Sequence, residues 1–95
     1  MEAVARKQVS IANPNGLHAR PAYLFARLAS GFAAQIEVIR DRQRVNGKSV
    51  LDLLTLAAVH GTTLTIQACG GDAGEAVEAL ARLLEQEDPL ERMTV

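Results

Sequence analysis

Apolar residues along these 95 residues repeat with a period that alternates between two and about 3.6, so short strands and helices must take turns. Val9 and Ile11 alternate with Gln8 and Ser10, a strand that stops at Asn13-Pro14-Asn15-Gly16, a strong turn signal. Ala22, Phe25, Ala26 and Ala29 then recur at i, i+3, i+4 and i+7, the stripe of a helix that Gly31 ends. Ile36 and Val38 alternate with Gln35 and Glu37, and Asp41-Arg42 turns into a short polar strand running to Val45. Ser49, with Asp52 three residues on, resembles a capping box at the start of a short helix to about Ala58. Leu64, Ile66 and Ala68 alternate with Thr63, Thr65 and Gln67. Ala76, Val77, Leu80, Ala81 and Leu84 mark a last amphipathic helix to about Glu87.

The expected order is β-α-β-β-α-β-α. Half-polar strands imply a four-stranded antiparallel sheet with one open face, and three helices must cover the other. The fold class is α+β, an open-faced β-sandwich related in element order to the split βαβ arrangement. The expected domain spans residues 1–88, with 89–95 a frayed C-terminal tail.

Composition removes several classes of function. Only three aromatics accompany a 48% hydrophobic share, so the core must be mostly aliphatic. A net charge of −1 with mixed signs gives no bulk drive towards nucleic acid or an anionic membrane. No apolar run approaches the ~18 residues of a membrane span, and Met1-Glu2-Ala3 begins no secretory leader. Cys69 is the single cysteine, which excludes an internal disulfide and points to a reducing, cytoplasmic setting. Near the end of an apolar strand, its thiol is expected to be buried and inert. No metal-ligand cluster or cofactor motif is present in the sequence.

Chemistry concentrates in Gly16-Leu17-His18-Ala19-Arg20-Pro21-Ala22, at the entrance to the first helix. Pro21 suits a first turn, where amides lack intrahelical acceptors in any case. With His18 at the N-cap, the N–H groups of Ala19 and Arg20 and the positive end of the helix dipole converge near its imidazole. An anion is favoured there. A neutral imidazole is a nucleophile, so a phosphoryl group on it would place an anion where the helix end attracts one. The Arg20 guanidinium suits phosphate oxygens.

G-L-H-A-R-P-A resembles the active-site signature of the HPr family, the histidine phosphocarriers of the bacterial phosphoenolpyruvate:sugar phosphotransferase system. Val45-Asn46-Gly47-Lys48-Ser49-Val50 is similar to that family's segment around a regulatory serine, and the resemblance covers about residues 4–87. It implies that His18 accepts a phosphoryl group through Nδ1 from phosphorylated Enzyme I and passes it to IIA domains of sugar permeases. Arg20 would steady the phosphoryl oxygens together with the Ala19 amide, and Asn15 would help hold the loop. Ser49 would be open to an HPr kinase/phosphorylase. The protein would act as a stoichiometric carrier, a monomer needing no cofactor, rather than as an independent catalyst.

A docking face follows from helix geometry. The second helix is apolar nearly all round, yet a short helix buries one stripe. Leu53, Leu56 and Ala57 are the expected inner stripe, which leaves Val50, Leu51 and Leu54 partly exposed. Tyr23 and Arg27 follow Ala19 at i+4 and i+8, flanked by Arg20, and add a basic rim suited to an acidic partner groove. Asp52 departs from the family, several members of which carry a basic residue early in this helix. His60 reads as an ordinary loop residue. Two other readings compete. A small βαββαβ regulatory module that binds a ligand explains the element order but not the His-Ala-Arg-Pro cluster. A hydrolase built on His18, Ser49 and Asp52 lacks a nucleophile elbow.

Overall fold

The computed structural model describes residues 3–87. Its elements are β1 (Val4–Ser10), α1 (Ala19–Ser30), β2 (Gln35–Arg40), β3 (Gln43–Asn46), α2 (Val50–Thr55), β4 (Thr63–Cys69) and α3 (Ala73–Leu84). The order β-α-β-β-α-β-α is the one expected from the periodicity. The strands form one sheet in the order β1-β4-β2-β3. Every neighbouring pair is antiparallel, with Val9 opposite Leu64, Ile36 opposite Ala68 and Val38 opposite both Ile66 and Val45.

Opposed residues share a face, so this register gathers Val9, Ile36, Val38, Val45, Leu64, Ile66 and Ala68 on the covered side. All are buried there. The helices close over them with Phe25 and Ala29 from α1, Leu53 from α2, and Val77, Leu80 and Leu84 from α3. Phe25 is fully buried, the sole aromatic among the largest buried side chains. At the β1 edge Lys7 is half-buried and its ammonium reaches Glu78 of α3 at 2.8 Å. Its alkyl stem can cover apolar surface while the charge stays wet. No helix among the described residues is long and apolar enough to cross a membrane.

Asp72 ties the far end of α1 to α3. Its carboxylate accepts from the amides of Ala33 and Ala34 at 2.8 and 2.9 Å. The Ala33 bond first, then the Ala34 bond and the charge of Lys48, hold the carboxyl below its ordinary range against partial desolvation. A depressed folded-state value means that the tie is present above the unfolded value and is lost only as pH falls through the lowered one. Lys48 completes this end by donating to the carbonyl of Phe32 at 2.8 Å.

Four local features differ from the expectation. α2 stops at Thr55, not near Ala58, and Ala57 is exposed rather than part of an inner stripe. No glycine follows the helix, so Ala57 itself takes the left-handed conformation (φ 50°) that terminates it. The guanidinium of Arg40 on β2 satisfies the terminal carbonyls, donating to Leu56 at 2.7 Å and Ala57 at 2.9 Å. α3 likewise ends at Leu84, short of Glu87, with Glu85 as its C-cap. Cys69 is half-buried rather than buried. Leu64, Ile66 and Ala68 point inward, so two-residue alternation sends Cys69 to the open face with Thr65 and Gln67. The expected tail, 89–95, lies outside the described residues.

Candidate functional site

His18 is the N-cap of α1, with extended backbone (φ −86°, ψ −172°). Its carbonyl accepts the first helical bond, from Ala22 N–H at 3.0 Å. The amides of Ala19 and Arg20 precede that bond, and Pro21 has none. The helix thus opens on its positive end beside the imidazole. The His18 side chain makes no capping hydrogen bond, which is unusual work for an N-cap residue to leave undone. The ring is half-buried, and its Nε2 is enclosed without a hydrogen-bond partner. Arg20 is exposed on the first turn.

The loop that presents His18 is held from below. Gly16 N–H donates to the Asn13 carbonyl at 2.9 Å and Asn15 N–H to the Asn13 side-chain Oδ1 at 2.8 Å. Leu17 N–H then donates to Ala58 O at 2.8 Å, fastening the loop to the segment between α2 and β4. Gly16 has φ +73°, and a Cβ there would lie 2.9 Å from Val59 Cα. Only glycine fits both the conformation and the gap. The strained turn at Ala57 immediately precedes the carbonyl that receives this loop.

Of the other expected residues, Asn15 is exposed and acts through its backbone amide. Ser49 is the N-cap of α2, and its Oγ accepts from Asp52 N–H at 3.2 Å. The reciprocal half of the capping box is displaced, because the Asp52 carboxylate accepts from Asn46 N–H at 3.3 Å instead. Ser49 and Asp52 are therefore engaged locally at α2, and neither hydrogen-bonds with His18, which leaves no triad for a hydrolase. His60 is exposed in the turn before β4.

Leu51 is 76% exposed, Leu54 37% and Val50 half-buried against the core, so the partial exposure expected of the three is present. Tyr23 is half exposed, and its hydroxyl accepts from Arg27 at 3.0 Å one turn along. α2 packs against α1. Sequence reading missed Val59, which is 62% exposed and abuts Gly16. It also missed Asn13, the buried polar residue beneath the loop, and Arg40, which shapes the end of α2. The sequence marks Asn13-Pro14-Asn15-Gly16 as a turn, but that pattern does not say which asparagine is buried.

The site is thus a half-buried imidazole at the positive end of a helix, on a loop pinned by backbone bonds. Comparison with known proteins places the whole chain. The family model of the PTS HPr component phosphorylation site matches residues 5–86. The phosphocarrier protein HPr of Vibrio cholerae is 46% identical over 80 residues, covering 84% of this chain and 94% of its own. The HPr-like protein Crh of Halalkalibacterium halodurans is 40% identical over 84 residues, covering 88% of this chain and all of its own. The crystal structure of phosphocarrier protein HPr from Bacillus anthracis superposes with a TM-score of 0.83 at 43% identity, over 86% of this chain and 98% of that one. The chain belongs to the HPr family of the phosphotransferase system.

Proposed function

We propose that this chain is a cytoplasmic phosphoryl carrier that accepts a phosphoryl group on His18 from phosphorylated Enzyme I and donates it to IIA domains. The observation that carries this reading is the state of the imidazole. It sits at the N-cap without capping, and its Nε2 is enclosed without a partner, so Nδ1 is the nitrogen left to react. The Nδ1 lone pair attacks phosphorus, the bond from phosphorus to the Enzyme I donor breaks, and donation to a IIA domain reverses the step on a new acceptor. The Ala19 amide, the helix dipole and the Arg20 guanidinium hold the phosphoryl oxygens meanwhile. The protein turns over nothing alone.

Incubation with phosphoenolpyruvate and Enzyme I tests the reading. A carrier becomes labelled stoichiometrically and passes the label on. A ligand-binding regulatory module stays unlabelled, as would a relative that has kept the fold without the transfer. Titration with inorganic phosphate checks the anion site separately. The amide signals of Ala19 and Arg20 should move most, and largest shifts on the open sheet face would misplace the site.

Leu51 and Leu54, with Tyr23 and Arg27 and the flank of Val50, form the docking face in this reading. Leu51→Glu should weaken binding of Enzyme I by about 2 kcal/mol, as expected for an anchor in a desolvated patch. Its melting temperature should stay near wild type, because Leu51 is mostly solvated already. Isothermal titration and a thermal melt of the same variant check both halves. Leu54, less exposed, should lose more stability for a similar loss of binding. The patch is read as serving partners rather than a second copy, so sedimentation should find a monomer. Ser49 is read as a control point addressed by an HPr kinase/phosphorylase.

A further inference from the structure

Among the described residues one polar side chain is buried in the core region, and it lies under the site. Asn13 is 4% exposed, although it belongs to a turn whose next two residues, Pro14 and Asn15, are exposed. Burying an amide side chain is unfavourable unless its groups are bonded, and here only half of it is. Oδ1 accepts from Asn15 N–H at 2.8 Å, whereas Nδ2 is buried with no partner. The backbone carbonyl of the same residue closes the turn by accepting from Gly16 N–H at 2.9 Å. Asn13 therefore fixes two successive amides just ahead of Leu17 and His18.

Its flanks are anchored independently of that side chain. Ile11 exchanges bonds with the turn before β4, donating to Thr62 O at 3.0 Å and accepting from Gly61 N–H at 2.9 Å. Ala12 N–H donates to Leu84 O at the end of α3, at 3.1 Å, and Leu17 N–H donates to Ala58 O. Between these clamps the chain turns through Asn13–Gly16, and the Asn13 amide is the one side chain seen to brace it. The residue also borders a small cavity with Gly16, Leu17, Pro21, Leu83 and Leu84. A half-satisfied amide at this position is accounted for if the residue serves the loop rather than packing.

We infer that Asn13 is a positioning residue for phosphoryl transfer. Through its Oδ1 bond to Asn15 it sets the conformation of the turn, and through Gly16 and Leu17 the place of the His18 ring against the end of α1. This rests on the reading of His18 as the phosphoryl acceptor. The hydrogen bonds of Asn13 go to Asn15 and Gly16 rather than to His18, so its removal should slow the transfer step while Enzyme I docks as before.

Alanine and serine separate positioning from packing, since both shorten the side chain while serine keeps an oxygen able to accept from the amide two residues on. Expected for Asn13→Ala is a tenfold or greater fall in the maximal rate of His18 phosphorylation, with half-saturation by Enzyme I within twofold of wild type. Asn13→Ser should recover the rate to within about threefold of wild type. In parallel, backbone amide dynamics of Asn15–His18 should loosen in Asn13→Ala and tighten again in Asn13→Ser, with no partner present. Equal rates in wild type and Asn13→Ala, or equal losses in both variants tracking their melting temperatures, would overturn the proposal. Should the wild type accept no phosphoryl group at all, the carrier reading fails, and the dynamics still decide: an unchanged loop in Asn13→Ala would then overturn the positioning role as well.

Discussion

His18→Ala should lose phosphorylation by Enzyme I entirely and yet melt close to the wild-type temperature. The two halves of this result have separate causes. Among the described residues the imidazole is the one side chain that brings a nucleophilic nitrogen to the opening of α1, so nothing there replaces it when it is removed. The side chain contributes no capping bond and keeps Nε2 enclosed without a partner. An enclosed, unpaired polar atom is a cost of about 1–3 kcal/mol to the folded state. Its loss offsets much of the packing lost with a half-buried ring. A filter assay with labelled phosphoenolpyruvate, run beside a thermal melt, reads both. His60→Ala is the control and should be labelled like wild type, because His60 lies in an exposed turn. Full labelling of His18→Ala would remove His18 from the chemistry.

The second large effect belongs to Ser49. A phosphate there would add roughly −1.5 to −2 charges, and the opening turn of α2 can accept them. Ser49 Oγ already accepts from the Asp52 amide, and negative charge is tolerated near the start of a helix. The fold should therefore survive modification. The docking face should not be indifferent, because the charge would stand beside Val50 and Leu51 on a helix packed against α1. Asp52 is one turn on, so the new anion joins an existing one. Like charges brought together across an interface cost up to several kcal/mol. Ser49→Asp should slow transfer from Enzyme I to His18 by roughly tenfold or more, with the deficit shrinking as salt screens it. Ser49→Ala should transfer normally and lose about 1 kcal/mol of stability, the usual worth of an N-cap. Initial rates for the three proteins at two ionic strengths check this, and three equal rates would reduce Ser49 to a helix cap.

Much of this molecule could be read from residue spacing because its sheet has one wet face. Leu64, Ile66 and Ala68 announce both a strand and the side that is buried, and the same logic places Phe25 and Ala29 on the inner side of α1. Cys69 shows the cost of setting that logic aside. Judged by its type it belongs in a core, but its odd number in β4 puts it on the open face. The end of α2 was not legible for a different reason. Its terminal carbonyls are satisfied by Arg40, 16 residues earlier in sequence, and Ala57 stands in the left-handed position where a glycine would have marked the stop. The site divides in the same way. His18, Arg20 and Pro21 fall within four successive residues, so their places at a helix entrance follow from local rules. Ala58 and Val59 reach the loop through tertiary contacts, and no local pattern encodes the burial of Asn13 within its turn or the bond from Leu17 to Ala58. Asp52 comes close to the sequence pattern of a capping box but reaches past Ser49 to Asn46, a choice made by the geometry of the turn.

Phosphoryl transfer to this protein should form a phosphorus–nitrogen bond at Nδ1 of His18. Nitrogen-15 labelled protein, incubated with phosphoenolpyruvate and Enzyme I and observed by phosphorus–nitrogen correlated NMR, reports that bond directly. One acid-labile phosphoramidate coupled to Nδ1 of His18, with Nε2 uncoupled, is the predicted spectrum. Coupling to Nε2, to His60, or to no ring nitrogen at all would contradict the account.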